Sequence, residues 1–336
     1  MNARMRWLTA ALAICIGINN SSAQAPLPKS ADTPAPPAAT AIAATVNGQD
    51  VSELAVYRGL LSKHPSLWKA ARKEILDYLV DTTLVDQYLS QLKIQVEPKD
   101  IDERFQQIQE EAKKSGEEFA EMLKKLQLTE GELKKELHAA LRWDKFVLQQ
   151  GTDKVLLDYF QKNPSMFDSS EVHARHILIE AKDDAEGKLK IDQARKYIEV
   201  ETAKELAKLP PAANKVEQEA NRNKALLTAF AQAADRESVC PSKKHGGDLG
   251  WFPRVRAMVE PFARAAFALQ PYQLSDAVKT EFGYHLILAV DRKAGREVKF
   301  EDVKGAVAEI YAERLREAIL ASYKPRSKIV IHEYRQ

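Results

Sequence analysis

The chain contains almost no cysteine. Of its 336 residues only Cys15 and Cys240 are cysteines, and Cys15 lies in an N-terminal segment that we expect to be cleaved off. One remaining cysteine cannot form an intramolecular disulfide, which excludes a disulfide-stabilised scaffold as the basis of the fold. A free thiol at Cys240 is a liability in an oxidising compartment, so its presence needs a reason other than cross-linking.

The sequence also has no large excess of positive or of negative charge. The sequence has 50 basic and 48 acidic residues, and the first 23 residues hold two of the basic ones, Arg4 and Arg6, and no acid. Without that segment the two signs balance. A neutral chain with interspersed charges gives no electrostatic reason to expect nucleic acid or an anionic membrane surface as the main partner.

Long apolar runs are missing as well. The apolar stretch Trp7–Ile18 is too short for a membrane span. It follows Arg4 and Arg6 and precedes the small residues Ser21-Ser22-Ala23, an order that is typical of a secretory signal peptide. We therefore predict a cleaved leader at 1–23, a periplasmic or otherwise extracytoplasmic protein, and no stable membrane span after cleavage. The alternative is a leader that is retained as an anchor.

The composition of the rest is that of an ordinary soluble protein. Hydrophobic residues make up 45% and charged residues 29%, which is enough to build a core, and the length suggests about two domains. Residues 24–44 are rich in Ala and Pro, which predicts a disordered linker. A short β-prone piece and an Asn47-Gly48 turn follow it.

A helical segment extends from about 52 to 162. Apolar residues recur there at intervals of three and four. Pro98 stands at a first helical position, Thr129 and Glu132 have capping-box spacing, and Asn163-Pro164 ends the last helix of the segment.

Beyond this segment the pattern changes to strands. Val172–Ile179 and Phe282–Val290 are strongly apolar and typical of strands, and a Gly-rich turn before Trp251 leads to another short one. The chain then continues with a helix at about 300–322. A β-prone tail at Ile329–Ile331 follows, and we expect it to pair with Val46.

Three residues stand out by chemical type. They are His176 in the first strong strand, Cys240 before the Gly-rich turn, and His285 in the last strong strand. A neutral imidazole in an apolar strand needs hydrogen-bond partners. Taken singly, each residue is better explained as part of a core, the histidines bonded to backbone groups and the cysteine buried and inert.

The surrounding sequence resembles parvulin-type peptidyl-prolyl cis/trans isomerases in four ordered blocks. The blocks are the first strand, the active-site loop, the fourth helix and the closing strand, which correspond here to His173–Leu178, Cys240–Phe252, Met258–Leu269 and Thr280–Ile287. In the loop, Cys240 stands eight residues before the aspartate of Gly247-Asp248-Leu249-Gly250.

The resemblance implies an α+β fold and an enzyme. It implies a parvulin domain at 169–294, with a four-stranded antiparallel sheet and surrounding helices, which isomerises Xaa-Pro bonds through a twisted amide. No covalent intermediate, cofactor or metal is expected. The catalytic residues of the family map onto His176, Cys240 and His285. The substrate-binding positions map onto Leu249, Met258, Phe262, Thr280 and Phe282.

The helical region resembles the N-terminal part of periplasmic foldases of the SurA, PrsA and PpiD kind. Thr45-Val46-Asn47-Gly48 precedes its helices, and Tyr159-Phe160, Asn163-Pro164 and Phe167 precede the isomerase strand. The resemblance implies an all-helical, chaperone-like domain at 45–168, on which a C-terminal segment at 295–336 packs. The partners it implies are unfolded or nascent exported polypeptides that contain proline. The alternative is a plain scaffold or dimerisation arm.

One departure from the smallest parvulins is the distance in sequence between His176 and Cys240. The excess is a charged stretch at about 182–224, which Pro210-Pro211 interrupts. We expect an enlarged first helix or a helical hairpin outside the active site.

Three other functions compete with the isomerase. A Cys-His hydrolase would use Cys240 as nucleophile, but the Gly-Asp-Leu-Gly context favours a parvulin. A metal site would draw on His173, His176, His245, His285 and Cys240. Because His173 and His176 lie on opposite faces of a strand and no paired ligand motif is present, it is disfavoured. The last alternative is a holding chaperone with an inactive isomerase-fold binding module, but every catalytic-type position is filled.

Overall fold

The computed structural model describes residues 34–333. The predicted signal peptide at 1–23 and the start of the predicted linker lie outside that range. Within it, no helix has both the length and the apolar character that a membrane crossing requires. The first strand starts at Ile42, inside the segment that the composition predicts to be a linker.

The described residues form a mixed α+β fold, as the sequence predicts. Between residues 34 and 333 the ten α-helices are α1 (Glu53–Leu60), α2 (Trp68–Gln91), α3 (Pro98–Lys114), α4 (Phe119–Lys125), α5 (Glu130–Gln150), α6 (Asp153–Lys162), α7 (Asp184–Ala207), α8 (Lys215–Glu237), α9 (Glu260–Ala268) and α10 (Phe300–Tyr323). The strands in the same range are β1 (Ile42–Val46), β2 (Gln49–Ser52), β3 (Glu171–Ile179), β4 (Asp248–Pro253), β5 (Val278–Thr280), β6 (Gly283–Lys293) and β7 (Ile329–Ile331).

The chain divides into two compact units. The helical unit comprises the described residues up to 159 and those from 304 onwards, and the sheet unit comprises 160–303. The first and last parts of the sheet unit contact each other through aromatic rings. The ring centroid of Phe160, near the start of the unit, lies 5.6 Å from that of Phe167 and 5.9 Å from that of Phe300, near its end. The domain limits at 168/169 and 294/295 stay predictions.

A small antiparallel sheet in the order β2-β1-β7 lies in the helical unit. Asn47 and Gly48, between β1 and β2, have φ angles of 51° and 87°, the left-handed conformation that a tight hairpin turn requires. β7 pairs with the other edge of β1, and Val46 lies opposite Ile329, which confirms the expected pairing of the tail. The expected all-helical unit thus contains one sheet. Its strands are only three to five residues long and pair across the length of the chain.

The helix boundaries follow local sequence signals. Pro98 occupies the first turn of α3, and α6 ends at Lys162, directly before Asn163-Pro164. At the start of α5, the backbone N–H of Glu132 donates to the hydroxyl of Thr129, and the carboxylate of Glu132 accepts from the backbone N–H of Thr129. These three predictions are confirmed.

The sheet unit is built on four antiparallel strands in the order β4-β3-β6-β5. Both faces of the sheet are covered. On one face, α7 and α8 bury Ile177 of β3 and Leu286 of β6. On the other face, α9 buries Ala174 and Ile287. Because residues alternate between faces along a strand, His176 and His285 belong to the face that α9 covers.

The extra segment between β3 and β4 is a helical hairpin, one of the two forms expected for it. Ile191 and Ile198 of α7 and Phe230 of α8 are fully buried against the sheet. They pack on the face opposite the two histidines. The added length therefore enlarges the core of the unit on the side away from the candidate site.

Removing the Thr129 hydroxyl tests the capping box of α5. We expect Thr129→Ala to lower the free energy of unfolding of the helical unit by about 1 kcal/mol, because two backbone N–H contacts at the helix start depend on this side chain and its partner. Thr129→Ser keeps the hydroxyl and should change little. Urea unfolding of the full chain checks both variants, and an equal loss in the two would contradict the capping role.

Candidate active site

Two histidines from different strands meet inside the sheet unit. In the β3–β6 register His176 lies opposite Ile287 and Leu178 lies opposite His285, so the two histidines are diagonal neighbours. Their Nδ1 atoms are 3.1 Å apart, which is hydrogen-bond distance. The rings are stacked, with centroids 5.4 Å apart and planes at 20°. The structure therefore brings together two of the three predicted catalytic residues.

Thr280 extends this pair into a chain of hydrogen bonds. Its Oγ1 lies 2.8 Å from Nε2 of His285 but 3.5 Å from the carbonyl oxygen of Gly283, which is long for an O–H···O bond. Oγ1 also accepts from the backbone N–H of Phe282 at 3.1 Å. A neutral imidazole carries one proton, so two proton orders fit the chain. In one, Thr280 donates to Nε2 of His285 and His285 donates from Nδ1 to His176; in the other, His176 donates from Nδ1 to His285 and His285 donates from Nε2 to Thr280.

The Nε2 atom of His176 lies at the end of this chain. That nitrogen is buried and has no hydrogen-bond partner among residues 34–333. Most buried polar groups in proteins are paired, so an unpaired one calls for an explanation. The site thus contains one polar ring nitrogen that none of the described protein groups uses.

An apolar wall stands against the two histidines. The ring of Phe262 meets His176 and His285 edge-on, with centroid distances of 5.6 and 5.2 Å. Leu249 and Met258 belong to the same apolar cluster but are only partly buried. Three of the predicted substrate-binding residues therefore pack in one cluster that also contacts the histidines.

The wall is held in place by an ion pair at the start of α9. Arg254, which is buried, donates from its two terminal nitrogens to the two carboxylate oxygens of Glu260 at 2.7 and 2.6 Å. Such a two-point contact fixes geometry as well as adding energy. The pair thus ties the first turn of α9, the helix that carries Phe262, to the segment that follows β4.

The loop that carries Cys240 docks on β3 at both of its ends. At one end, Ser238 Oγ accepts from the backbone N–H groups of Leu178 at 3.1 Å and Cys240 at 3.3 Å. At the other end, the N–H of His176 donates to the carbonyl oxygen of Gly247 at 2.9 Å. The loop is thus tied to the stretch of strand that contains His176.

Cys240 itself is half-buried, and Ser242 donates its hydroxyl to the thiol sulfur at 3.2 Å. In the described part of the chain, no hydrogen bond joins Cys240 to His176 or His285. The cysteine lies on the loop that docks beside the histidine pair and does not belong to the hydrogen-bonded chain. Its catalytic role stays a prediction.

The residues of this arrangement lie in a range that matches a known protein family. The model of the PPIC-type PPIase domain, the rotamase family, matches residues 176–291. The matched range starts at His176 and includes the Cys240 loop, α9 and His285. Residues 176–291 are thus similar to the PPIC-type rotamase family.

Relatives of the chain extend beyond the rotamase domain. A Helicobacter pylori protein named as a candidate peptidyl-prolyl cis-trans isomerase is 30% identical over 191 residues, which are 54% of this chain and 54% of that protein. The foldase protein PrsA of Clostridium botulinum is 28% identical over 284 residues, which are 79% of this chain and 74% of that protein. The chain spans about half the length of the first of these curated relatives.

A crystal structure of PrsA from Bacillus anthracis is also similar. It is 22% identical, covers 75% of this chain and 98% of that chain, and has a TM-score of 0.40.

Asp248 lies within the matched range, and no role was predicted for it from the sequence. Its Oδ1 accepts from the backbone N–H of Gly250 at 2.8 Å and lies 2.8 Å from Nε2 of His173. Burial raises the pKa of the Asp248 carboxyl, but these hydrogen bonds and the charge of Arg175 outweigh it, so the net pKa is lowered. Asp248 therefore acts as an ionised clamp beside Leu249, and only the spatial neighbours reveal this.

The five residues considered for a metal site do not converge. His173 contacts Asp248, and His176 and His285 contact each other. Among residues 34–333, no group of three or more His, Cys, Asp or Glu side chains is arranged to hold a metal ion.

Phe282 and Thr280 complete the predicted substrate-binding positions. Phe282 exposes 56% of its surface, next to Thr280 at the turn between β5 and β6. Its role in binding stays a prediction, as do those of Leu249, Met258, Phe262 and Thr280.

The two histidines are neutral at physiological pH. Burial lowers the pKa of His176 to about 4. Burial also lowers the pKa of His285 to about 4, and the positive charge that His176 would carry when protonated adds to this effect. Both residues are at most 5% exposed, so solvent does not screen these effects.

The buried pair should make the rotamase domain less stable in acid. A histidine in the unfolded chain has a pKa of about 6.5, so it is protonated below that pH. In the folded protein the two histidines stay neutral down to about pH 4. Stability is thus complete above pH 6.5 and falls towards pH 4, by roughly 3 kcal/mol for each histidine taken alone. Urea unfolding from pH 7 to 4.5 measures the loss, and imidazole NMR that shows either ring protonated at pH 6 would refute it.

A substitution at Gly247 should be more damaging than one at Gly250. Both have positive φ, 77° and 68°. A Cβ at Gly247 would meet the carbonyl oxygen of His176 at 2.4 Å, whereas one at Gly250 meets nothing within 4 Å. Gly250→Ala should cost about 1–2 kcal/mol for its conformation alone, and Gly247→Ala at least twice as much. Thermal unfolding compares the two, and equal losses would show that the close approach is unimportant.

Proposed function

We propose that this chain is a peptidyl-prolyl cis/trans isomerase that acts on Xaa-Pro bonds of unfolded or partly folded exported proteins. The observation that carries the proposal is the neutral, buried His176–His285 pair beside the apolar wall of Phe262. Residues that match the rotamase family hold both the pair and the wall. The names of the relatives, which include an isomerase and a foldase, point the same way.

The energetics suit a site without a nucleophile or a metal. Rotation about an Xaa-Pro bond is opposed by a barrier of about 18–20 kcal/mol, because the twisted state loses amide conjugation. The uncatalysed exchange takes tens to hundreds of seconds. A turnover of roughly 100 per second requires the barrier to fall by about 5 kcal/mol. Preferential binding of the twisted state is sufficient for a change of this size.

An apolar slot with uncharged polar groups favours the twisted amide over the planar one. The planar amide is strongly dipolar because of its conjugation, so removing water destabilises it more than the twisted form. Leu249, Met258 and Phe262 supply the dry surface and grip the pyrrolidine ring. Cys240 faces the carbonyl side of the bond, and the hydrogen-bonded histidines hold the polar wall rigid without adding a charge.

The helical unit supplies a second part of the function. We assign to it the binding of unfolded segments of the same client, as in the chaperone-like arms that the sequence resembles. A foldase protein among the relatives extends over 79% of this chain, a range much longer than the rotamase domain.

An extracytoplasmic site of action fits the N-terminal pattern of the sequence. Residues 1–23 have the charge, the apolar stretch and the small residues of an export signal. Exported chains must fold without cytoplasmic helpers, and slow proline isomerisation limits their folding.

Catalysis by the full chain, with a matched pair of slot variants, tests the proposal. The wild type should accelerate isomerisation of an Ala-Pro tetrapeptide and the proline-limited refolding of a reduced protein. Met258→Ala should lower kcat/KM about tenfold, because it empties part of the slot, whereas Met258→Leu keeps the volume and most of the rate. Met258 is only partly buried, so both variants should fold, and circular dichroism verifies this.

The alternative is a holding chaperone whose isomerase fold is inactive. It predicts equal rates for the wild type, Met258→Ala and a Cys240→Ala, His285→Ala double variant, together with unchanged suppression of client aggregation. Such a result would leave only the holding function. The intact hydrogen-bonded chain from Thr280 to His176 favours catalysis.

A further inference from the structure

A basic groove lies on the sheet unit, outside the site described above. It has a volume of about 710 Å³. Its walls come from β3, from α8 and from the segment after α9, and no acidic residue lines it. The lining residues are Arg175, Ala220, Asn223, Lys224, Leu227, Thr228, Ala231, Gln232 and Tyr272.

Arg175 in the wall of this groove is largely buried, with 21% of its side chain exposed, yet it lacks hydrogen bonds. Its Nε is buried and has no partner in the described chain. The nearest carboxylate oxygen, Oδ2 of Asp248, lies 3.7 Å from Nη2, beyond hydrogen-bond range. A guanidinium has five N–H donors and needs acceptors for them when it is removed from water. Arg175 therefore has unused capacity for an anion.

Arg175 lies next to the loop that carries Cys240. A Cβ at Gly246 would lie 3.0 Å from Nη1 of Arg175 and 2.8 Å from the Cβ of Ala231 in α8. The guanidinium is therefore in contact range of Gly246, at the place where the loop approaches α8.

Lys224 adds a second positive charge to the same groove. It is exposed, and no carboxylate among residues 34–333 lies within ion-pair distance of it. Asn223 and Gln232 supply amides that can bond to a peptide backbone, and Leu227 and Tyr272 supply apolar surface. Among the described residues Lys224 has no ion pair, and Arg175 has a carboxylate neighbour only at 3.7 Å. Together with the amides and the apolar floor of the groove, these two cations match an extended peptide with acidic side chains better than a small inorganic ion.

We infer that this groove binds an acidic segment of a polypeptide, at a site separate from the proposed isomerase site. Arg175 and Lys224 bind Asp or Glu side chains there, and Asn223 and Gln232 bind the backbone between them. An exported client with an acidic stretch would thus bind the sheet unit at two places. The inference concerns binding and holds whether or not the chain is an isomerase.

Binding of a proline-free acidic peptide to the full chain tests the inference. The probe is fluorescein-labelled Gly-Glu-Glu-Ala-Glu-Gly, and the comparison peptide has Gln in place of each Glu. By fluorescence anisotropy at constant ionic strength, the acidic peptide should bind about tenfold more tightly, as for a desolvated charge pair. Equal affinity for the two peptides would overturn the inference.

Matched variants of α8 locate the site. Lys224→Gln should weaken binding of the acidic peptide about fivefold, and Arg175→Gln more than that, since its charge is less exposed to water. Arg222→Gln removes an exposed charge from the same helix but outside the groove, and should change the affinity less than twofold. An equal loss in Arg222→Gln and Lys224→Gln would show a general charge effect and refute the site. Displacement of the peptide by millimolar inorganic phosphate would mean that the groove binds a small anion, which also refutes it.

The proposed peptide site and the proposed catalysis can be refuted independently of each other. Lys224→Gln should leave the isomerisation rate of the neutral Ala-Pro tetrapeptide unchanged, while Met258→Ala should leave the affinity for the acidic peptide unchanged. If Lys224→Gln lowered that rate instead, the groove would not be a separate site.

Discussion

The hydrogen bond between the Nδ1 atoms of His176 and His285 sets the conditions for the whole site. A bond between two ring nitrogens at 3.1 Å needs exactly one proton, so at least one ring must be neutral, and burial makes both of them so. Because both rings are neutral, the position of one proton in the chain from Thr280 to His176 determines the positions of the others. The polar groups beside Phe262 are therefore uncharged, which suits the proposed isomerisation, a reaction that develops no net charge.

The Cys240 loop is held to β3 at both of its ends. The side-chain hydroxyl of Ser238 accepts from two backbone N–H groups, and the carbonyl oxygen of Gly247 accepts from the N–H of His176. The anchor at Ser238 therefore depends on a side chain, whereas the anchor at Gly247 depends on backbone position alone. The same loop also approaches Arg175, since a Cβ at Gly246 would lie 3.0 Å from its Nη1 atom.

Local signals in the sequence predicted much of the fold, and the resemblance to a family predicted the candidate site. Pro98, the Thr129 capping box and Asn163-Pro164 act over a few residues, so the sequence alone reveals them. By residue type the histidines were better explained as core residues bonded to backbone, whereas each in fact bonds to the other. The contact of His285 with Thr280, the unpaired Nε of Arg175 and the clamp at Asp248 depend on distances between remote segments, which periodicity does not encode.

The pairing of β1 with β7 has a consequence for the order in which the protein is assembled. Val46 and Ile329 come from opposite ends of the described chain, so the small sheet of the helical unit cannot close until nearly all of the polypeptide has emerged from the ribosome or the export channel. The sheet unit is one continuous stretch and needs no such delay. Closing a loop of that length is slow but costs little more entropy than a shorter one, so the two units should mature in succession, the one with the histidines first.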